Sequence, residues 1–217
     1  PLAARNPEGV LYMGSFSKVL APGLRLGFVV APKSVYGKLV QAKQAADLHT
    51  PSFNQRVVAE VMKDGFLDRH IPTIRTLYKN QRDAMLAALD QGMVGLGVSW
   101  TRPVGGMFLW VQLPEGMDAQ KLLPLAVERG MAFVPGAPFF PGNPQHNCLR
   151  LSYVTVPPAQ IAQGIAALAA AIKAYAQLAP PGLTARIVGL LRSRNKKHHF
   201  WPRKGPFCLP RWASLVQ

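Results

Sequence analysis

Between Val10 and Tyr175 the chain alternates short apolar runs of strand length with longer stretches whose apolar residues recur every three or four positions. This alternation points to the α/β class, because a strand repeats its buried face every second residue and a helix about every 3.6. Val10–Met13 and Leu24–Ala31 read as short buried strands joined by a loop over Gly14–Gly23. Ser34 is placed to cap a helix through Leu39, Ala42 and Ala46, and Pro51–Ser52 separates that helix from a second, over about Phe53–Lys63. The longest periodic stretch runs from Leu67 to about Leu89, with Ile71, Ile74, Leu77, Tyr78, Met85 and Leu86 on one face. A helix of that length suits a bridge between two subdomains.

After Gly92–Gly97 the spacing changes. Val98–Thr101 and Met107–Leu113 read as paired strands around a turn at Arg102–Gly106. A helix over Asp118–Arg129, a strand over Met131–Val134, a Pro/Gly-rich loop over Ala137–Asn147 and a strand over Leu149–Tyr153 follow. A helix from Pro158 to about Tyr175 closes a compact α/β subdomain.

Periodicity fails from Pro180 on. The formal charge of +15 would ordinarily raise nucleic acid as a partner, through release of phosphate counterions. Its distribution argues otherwise. Residues 181–217 hold eight Lys or Arg and no acid, whereas residues 1–180 hold 17 bases against 10 acids. The excess belongs to a tail, 180–217, expected to be disordered or an extension read out of frame, and nucleic acid is not expected as a partner.

Cys148 and Cys208 lie far apart with no metal-ligand spacing, and the adjacent His198 and His199 would point in opposing directions, so no metal site is expected. Two isolated cysteines suit a reducing, cytoplasmic setting. No apolar run is read as approaching the roughly 20 residues that span a bilayer, and no membrane partner is expected. Pro1 is not a start methionine, so sequence upstream is expected.

The loop that opens the chain carries the chemistry. In Gly14-Ser15-Phe16-Ser17-Lys18-Val19-Leu20-Ala21-Pro22-Gly23-Leu24-Arg25-Leu26-Gly27, a lysine just after a strand stands among small hydroxyls, with an arginine seven residues on. An amine nucleophile needs a lowered pKa, which a neighbouring cation and restricted solvent favour. A phosphate needs hydroxyl and guanidinium donors, for which arginine's planar fork is suited. The order of a nucleotide-binding P-loop is absent. Farther along, Arg150 on an apolar strand reads either as an edge arginine paired with a surface acid or as a grip for a planar anion.

This loop closely resembles that of the fold-type I pyridoxal-phosphate-dependent aminotransferases, in particular the 2-aminoadipate/kynurenine aminotransferase-like branch. The resemblance extends over residues 8–178 and includes Arg102-Pro-Val-Gly-Gly-Met-Phe-Leu-Trp-Val and Val134-Pro-Gly-Ala-Pro-Phe-Phe-Pro-Gly, followed by Leu149-Arg150-Leu-Ser-Tyr. It implies the C-terminal part of the large domain over 1–66, then a bridging helix and small α/β subdomain over 67–179. By position, Lys18 would be the cofactor lysine and proton carrier. Ser15, Ser17 and Arg25 would meet the pyridoxal 5'-phosphate phosphate group, and Arg150 the substrate α-carboxylate. His49 lies in a family-like stretch and is either structural or close to a neighbouring subunit's site.

The resemblance further implies amino acid and 2-oxo acid substrates, and a homodimer for the complete protein. It places the acid facing the pyridine nitrogen and the aromatic stacked on the ring ahead of the lysine. Neither is found in the seventeen residues before Lys18, so the chain is expected to hold half a site. Two other readings stand beside the enzyme: an aminotransferase-like sensor domain of a winged-helix transcriptional regulator, and an inactive remnant. Gly105-Gly106-Met107-Phe108 and Val134-Pro135-Gly136 resemble the enzymes more than the regulators.

Overall fold

The computed structural model describes residues 2–178 and divides the chain into two compact units, with the boundary between Ile74 and Arg75. The basic tail and the His198, His199 and Cys208 readings lie outside the described residues.

The first unit begins with a single helical turn, α1 (Leu2–Arg5), followed by β1 (Tyr12–Ser15) and β2 (Gly27–Val30). These strands form a two-stranded antiparallel sheet, with Tyr12 opposite Val30 and Ser15 opposite Gly27. Both were expected to be buried. They are exposed instead, Met13 at 74% and Val30 at 59%, because apolar composition says that a strand should be covered, not what covers it.

Helices α2 (Lys33–Asp47) and α3 (Ser52–Met62) follow, each entered through a proline. Ser34 is not the cap that its residue type suggested. Pro32 occupies that position, and its carbonyl accepts from the Val35 and Tyr36 amides, which leaves Ser34 inside the first turn. The long helix α4 (Phe66–Gly92) carries Pro72 and the unit boundary within its length.

The second unit is a four-stranded antiparallel sheet with helices on one face. Its strands are β3 (Ser99–Trp100), β4 (Phe108–Gln112), β5 (Val134–Pro135) and β6 (Cys148–Ser152), in the order β3-β4-β6-β5. Helix α5 (Ala119–Val127) is capped by the Asp118 carboxylate, which accepts from the Gln120 amide at 2.8 Å. Helix α6 (Pro158–Leu178) packs against it.

The inward residues of β4 and β6, Leu109, Val111, Leu149 and Leu151, are at most 2% exposed. They meet Met85 and Leu89 of α4, Leu122 of α5, and Ile161, Ile165 and Leu168 of α6 in one core. β5 is shorter than the strand expected over Met131–Val134. The Met131 amide is taken by the Ala126 carbonyl as α5 unwinds through Gly130, whose φ is 79°.

At 21 residues, α6 is long and apolar enough to cross a bilayer by length and composition, contrary to the sequence reading that no such run exists. Ile161, Ile165, Leu168, Ala169, Ala171 and Ile172 are nevertheless buried in the protein core.

Candidate active site

The β1–β2 hairpin shapes the lysine loop. Its last ladder contact is extended by the Phe16 amide, which donates to the Leu26 carbonyl at 3.1 Å. Beyond this pair the chain curls: the Leu20 and Ala21 amides both donate to the Phe16 carbonyl, at 2.9 and 3.1 Å. Lys18 sits on that curl, exposed to solvent. The Ser17 amide donates to Ser15 Oγ at 3.1 Å, which fixes the two hydroxyl residues relative to each other. A 3-10 turn, Pro22–Leu24, leads the other limb of the loop back to Arg25.

Ser15, Ser17, Lys18 and Arg25 therefore share one loop, with Ser17 and Arg25 each one residue beyond the closing Phe16–Leu26 pair. Arg25 adopts a left-handed backbone, φ 52° and ψ 42°, unusual for a side chain with a Cβ. Its guanidinium reaches only as far as the Pro22 carbonyl, at 3.4 Å. No ion pair among the described residues engages Lys18 or Arg25. An amine, a guanidinium and two hydroxyls on one short loop, without a neutralising carboxylate, form a donor set that fits a phosphorylated aldehyde.

Three supports of this loop were not read from the sequence. Asn54 on α3 donates through Nδ2 to the Leu24 carbonyl at 3.1 Å, tying the 3-10 turn to the helix behind it. Gly14 lies under the Phe28 ring, where an added Cβ would fall 2.2 Å from a ring carbon. Gly27 faces the Gly14 carbonyl so closely that its Cβ would be 2.9 Å from that oxygen. The ring across these glycines depends on strand register, with Gly14 opposite Phe28.

A cavity of about 610 Å3 in the first unit is lined by residues that include Phe16, Leu26, Phe28, His49, Val58 and Met62, and Lys18 is not among them. His49 Nδ1 lies 3.2 Å from the Thr50 carbonyl.

In the second unit, Arg150 projects from β6 on the sheet face opposite the core, directly across from Trp110 on one side and Val134 on the other. It is half-buried and takes no part in an ion pair among the described residues, so the reading of a surface arginine held by an acid fails there. The turn at Pro103–Gly105 is pinned through three successive carbonyls. Arg82 Nη1 donates to those of Pro103 and Val104, at 3.4 and 2.8 Å, and the Tyr153 hydroxyl to that of Gly105 at 3.2 Å. Burial pushes the Tyr153 phenol above its usual pKa, so it remains a donor. The described residues bring together no cluster of three His, Cys, Asp or Glu side chains able to hold a metal ion.

Residues 1–168 match the family described as aminotransferase class I and II. A 2-aminoadipate transaminase from Thermus thermophilus is 51% identical over 165 residues, 76% of this chain and 41% of that one. The crystal structure of an alpha-aminoadipate aminotransferase from the same organism, complexed with N-(5'-phosphopyridoxyl)-L-leucine, superposes with a TM-score of 0.76 at 48% identity. The match covers 82% of this chain and 46% of that one. The transcriptional regulator TauR of Rhodobacter capsulatus is also similar, 35% identical over 166 residues, 76% of this chain and 34% of its own. The chain spans about two fifths of the length of the curated aminotransferases it matches. In sequence and in α/β architecture, the chain belongs to the class I and II aminotransferase family.

Proposed function

We propose that this chain is the lysine-bearing part of a pyridoxal-phosphate-dependent transaminase, which moves an amino group from an amino acid to a 2-oxo acid. The observation that carries the proposal is the loop itself: Lys18 exposed on a curl, with Ser15, Ser17 and Arg25 beside it and no acid paired to either cation. Pyridoxal phosphate bound there supplies an aldehyde and a ring that takes up electron density.

Each residue has a distinct task. Lys18 Nζ would hold the cofactor through its aldehyde carbon and would carry the proton between substrate Cα and cofactor C4′. Arg25, Ser15 and Ser17 hold the phosphate, the guanidinium supplying charge and a planar fork. Arg150 holds the substrate α-carboxylate, a planar anion that accepts two parallel N–H donors. The carbonyls fixed by Arg82 and Tyr153 keep the Gly105–Gly106 turn in one conformation near the substrate. A cytoplasmic setting and a homodimer of the complete protein belong to the same proposal.

Titrating the purified chain with pyridoxal phosphate tests the assignment. The wild type is expected to develop an absorbance band near ~420 nm that Lys18→Ala lacks. A band that persists unchanged in Lys18→Ala overturns the role of that lysine, and uptake by neither protein favours an inactive remnant.

The similarity to TauR favours a second reading, the sensor domain of a winged-helix regulator. The two distal motifs, around Gly105–Gly106 and Val134–Gly136, weigh toward the enzymes. A basic winged helix in the sequence upstream would decide for the regulator.

A further inference from the structure

The open face of the second unit's sheet carries more than an arginine. Phe108 and Trp110 alternate along β4 on the same face as Arg150, with Trp110 its direct cross-strand neighbour. Phe139 comes from the 3-10 turn Ala137–Phe139. The Arg150 guanidinium carbon lies over both phenylalanine rings, 4.1 Å from the centre of Phe108 and 5.0 Å from that of Phe139. Trp110 meets Phe139 edge-on at 5.9 Å and Phe140 at 6.1 Å, so the ring from the turn is itself held in place.

How an arginine is fastened decides what it can still bind. A guanidinium held by a carboxylate has its charge neutralised and up to two of its in-plane donors committed, whereas one held against aromatic rings keeps both charge and donors. The five N–H groups lie in the guanidinium plane and stay available to a second, bidentate partner. No salt bridge among the described residues includes Arg150, and no hydrogen bond found there uses its guanidinium. The side chain is half-buried, oriented and carries an unneutralised charge.

We propose that Phe108 and Phe139 are positioning residues: they hold the Arg150 guanidinium over their rings with its N–H donors free and thereby set the affinity of this site for a carboxylate. The inference rests on the transaminase reading only for the identity of the anion, the carboxylate of an amino or 2-oxo acid. A leucine at either position would fill space but offer no ring quadrupole. Tyrosine would keep the ring.

The test follows the Arg150 guanidinium by 1H–15N NMR in the whole 217-residue chain, titrated with sodium pyruvate. A saturable shift of the Arg150 Nε–H signal is expected in the wild type. In the Phe108→Leu/Phe139→Leu variant the dissociation constant is expected to rise roughly tenfold with little change in thermal midpoint, and the double Tyr variant to restore it.

A second measurement needs no variant. Contact with the two rings hinders rotation about Nε–Cζ, so the wild-type Arg150 Nη signals are expected to exchange more slowly than those of exposed arginines such as Arg75. An absent shift in the wild type, an affinity indifferent to the leucines, or free rotation at Arg150 overturns the proposal. Pyruvate binding that depends on the two rings, in a chain that takes up no pyridoxal phosphate, keeps this inference and removes the transaminase reading. A Lys18-linked band beside ring-independent pyruvate affinity does the reverse.

Discussion

Arg25 is held in a left-handed conformation that a residue with a Cβ adopts at a cost of about 1 kcal/mol, and glycine at almost none. That cost is consistent with a position kept for its side chain. Arg25→Gly is expected to raise stability by up to about 1 kcal/mol while weakening pyridoxal phosphate uptake at least about tenfold, through loss of a charge-assisted contact. Thermal melting and the absorbance titration, run on one preparation, read the two effects separately. Tyr153 presents the opposite case, a buried hydroxyl whose partner is backbone. Tyr153→Phe leaves the Gly105 carbonyl without its donor and is expected to cost about 1 kcal/mol in chemical denaturation, with the Lys18-linked band unchanged.

Helix α4 carries a titrating element on its surface. Asp83 accepts from Lys79 Nζ at 2.8 Å and from Arg82, and those hydrogen bonds, Lys79's first, hold its carboxyl below the ordinary 3.8. A depressed folded pKa contributes stability that is fully present above the unfolded value and is lost as the pH falls through the folded one. The melting difference between wild type and Asp83→Asn is therefore expected to be positive and constant near neutrality. It should vanish in acid below pH 3.8, and shrink with added salt because the carboxylate is exposed. Elements differ in how far their sequence announced them. Helices α3, α5 and α6 were legible because a periodic apolar stripe and a proline or Asp118 at the entrance mark a helix locally, and α4 by its long stripe alone. β5 was not, since Met131 is drawn into the end of α5 by a bond that periodicity does not register. In the site, Lys18, its hydroxyl neighbours and Arg150 could be found from residue types in order. Asn54, Phe28 and Phe108 could not, because their roles arise from which strands pair and in what register.

Across the whole molecule the core is unevenly distributed. Among the described residues, Leu26 and Val58 are the only buried hydrophobics of the first unit, and the other buried hydrophobics belong to the second. Since protection follows buried contact, amides of β4, β6 and α6 are expected to exchange with deuterium orders of magnitude more slowly than those of β1 and β2. Comparable protection in both would contradict the burial. The hairpin that shapes the lysine loop bears on affinity as well. Its two strands pair only with each other among the described residues, and a lone hairpin is marginal in water. If only a fraction of molecules holds the loop in its binding shape, the apparent dissociation constant is the intrinsic one divided by that fraction. A strand added along the open edge would then tighten cofactor binding without touching the cofactor, and bound cofactor would favour that strand's addition by the same factor.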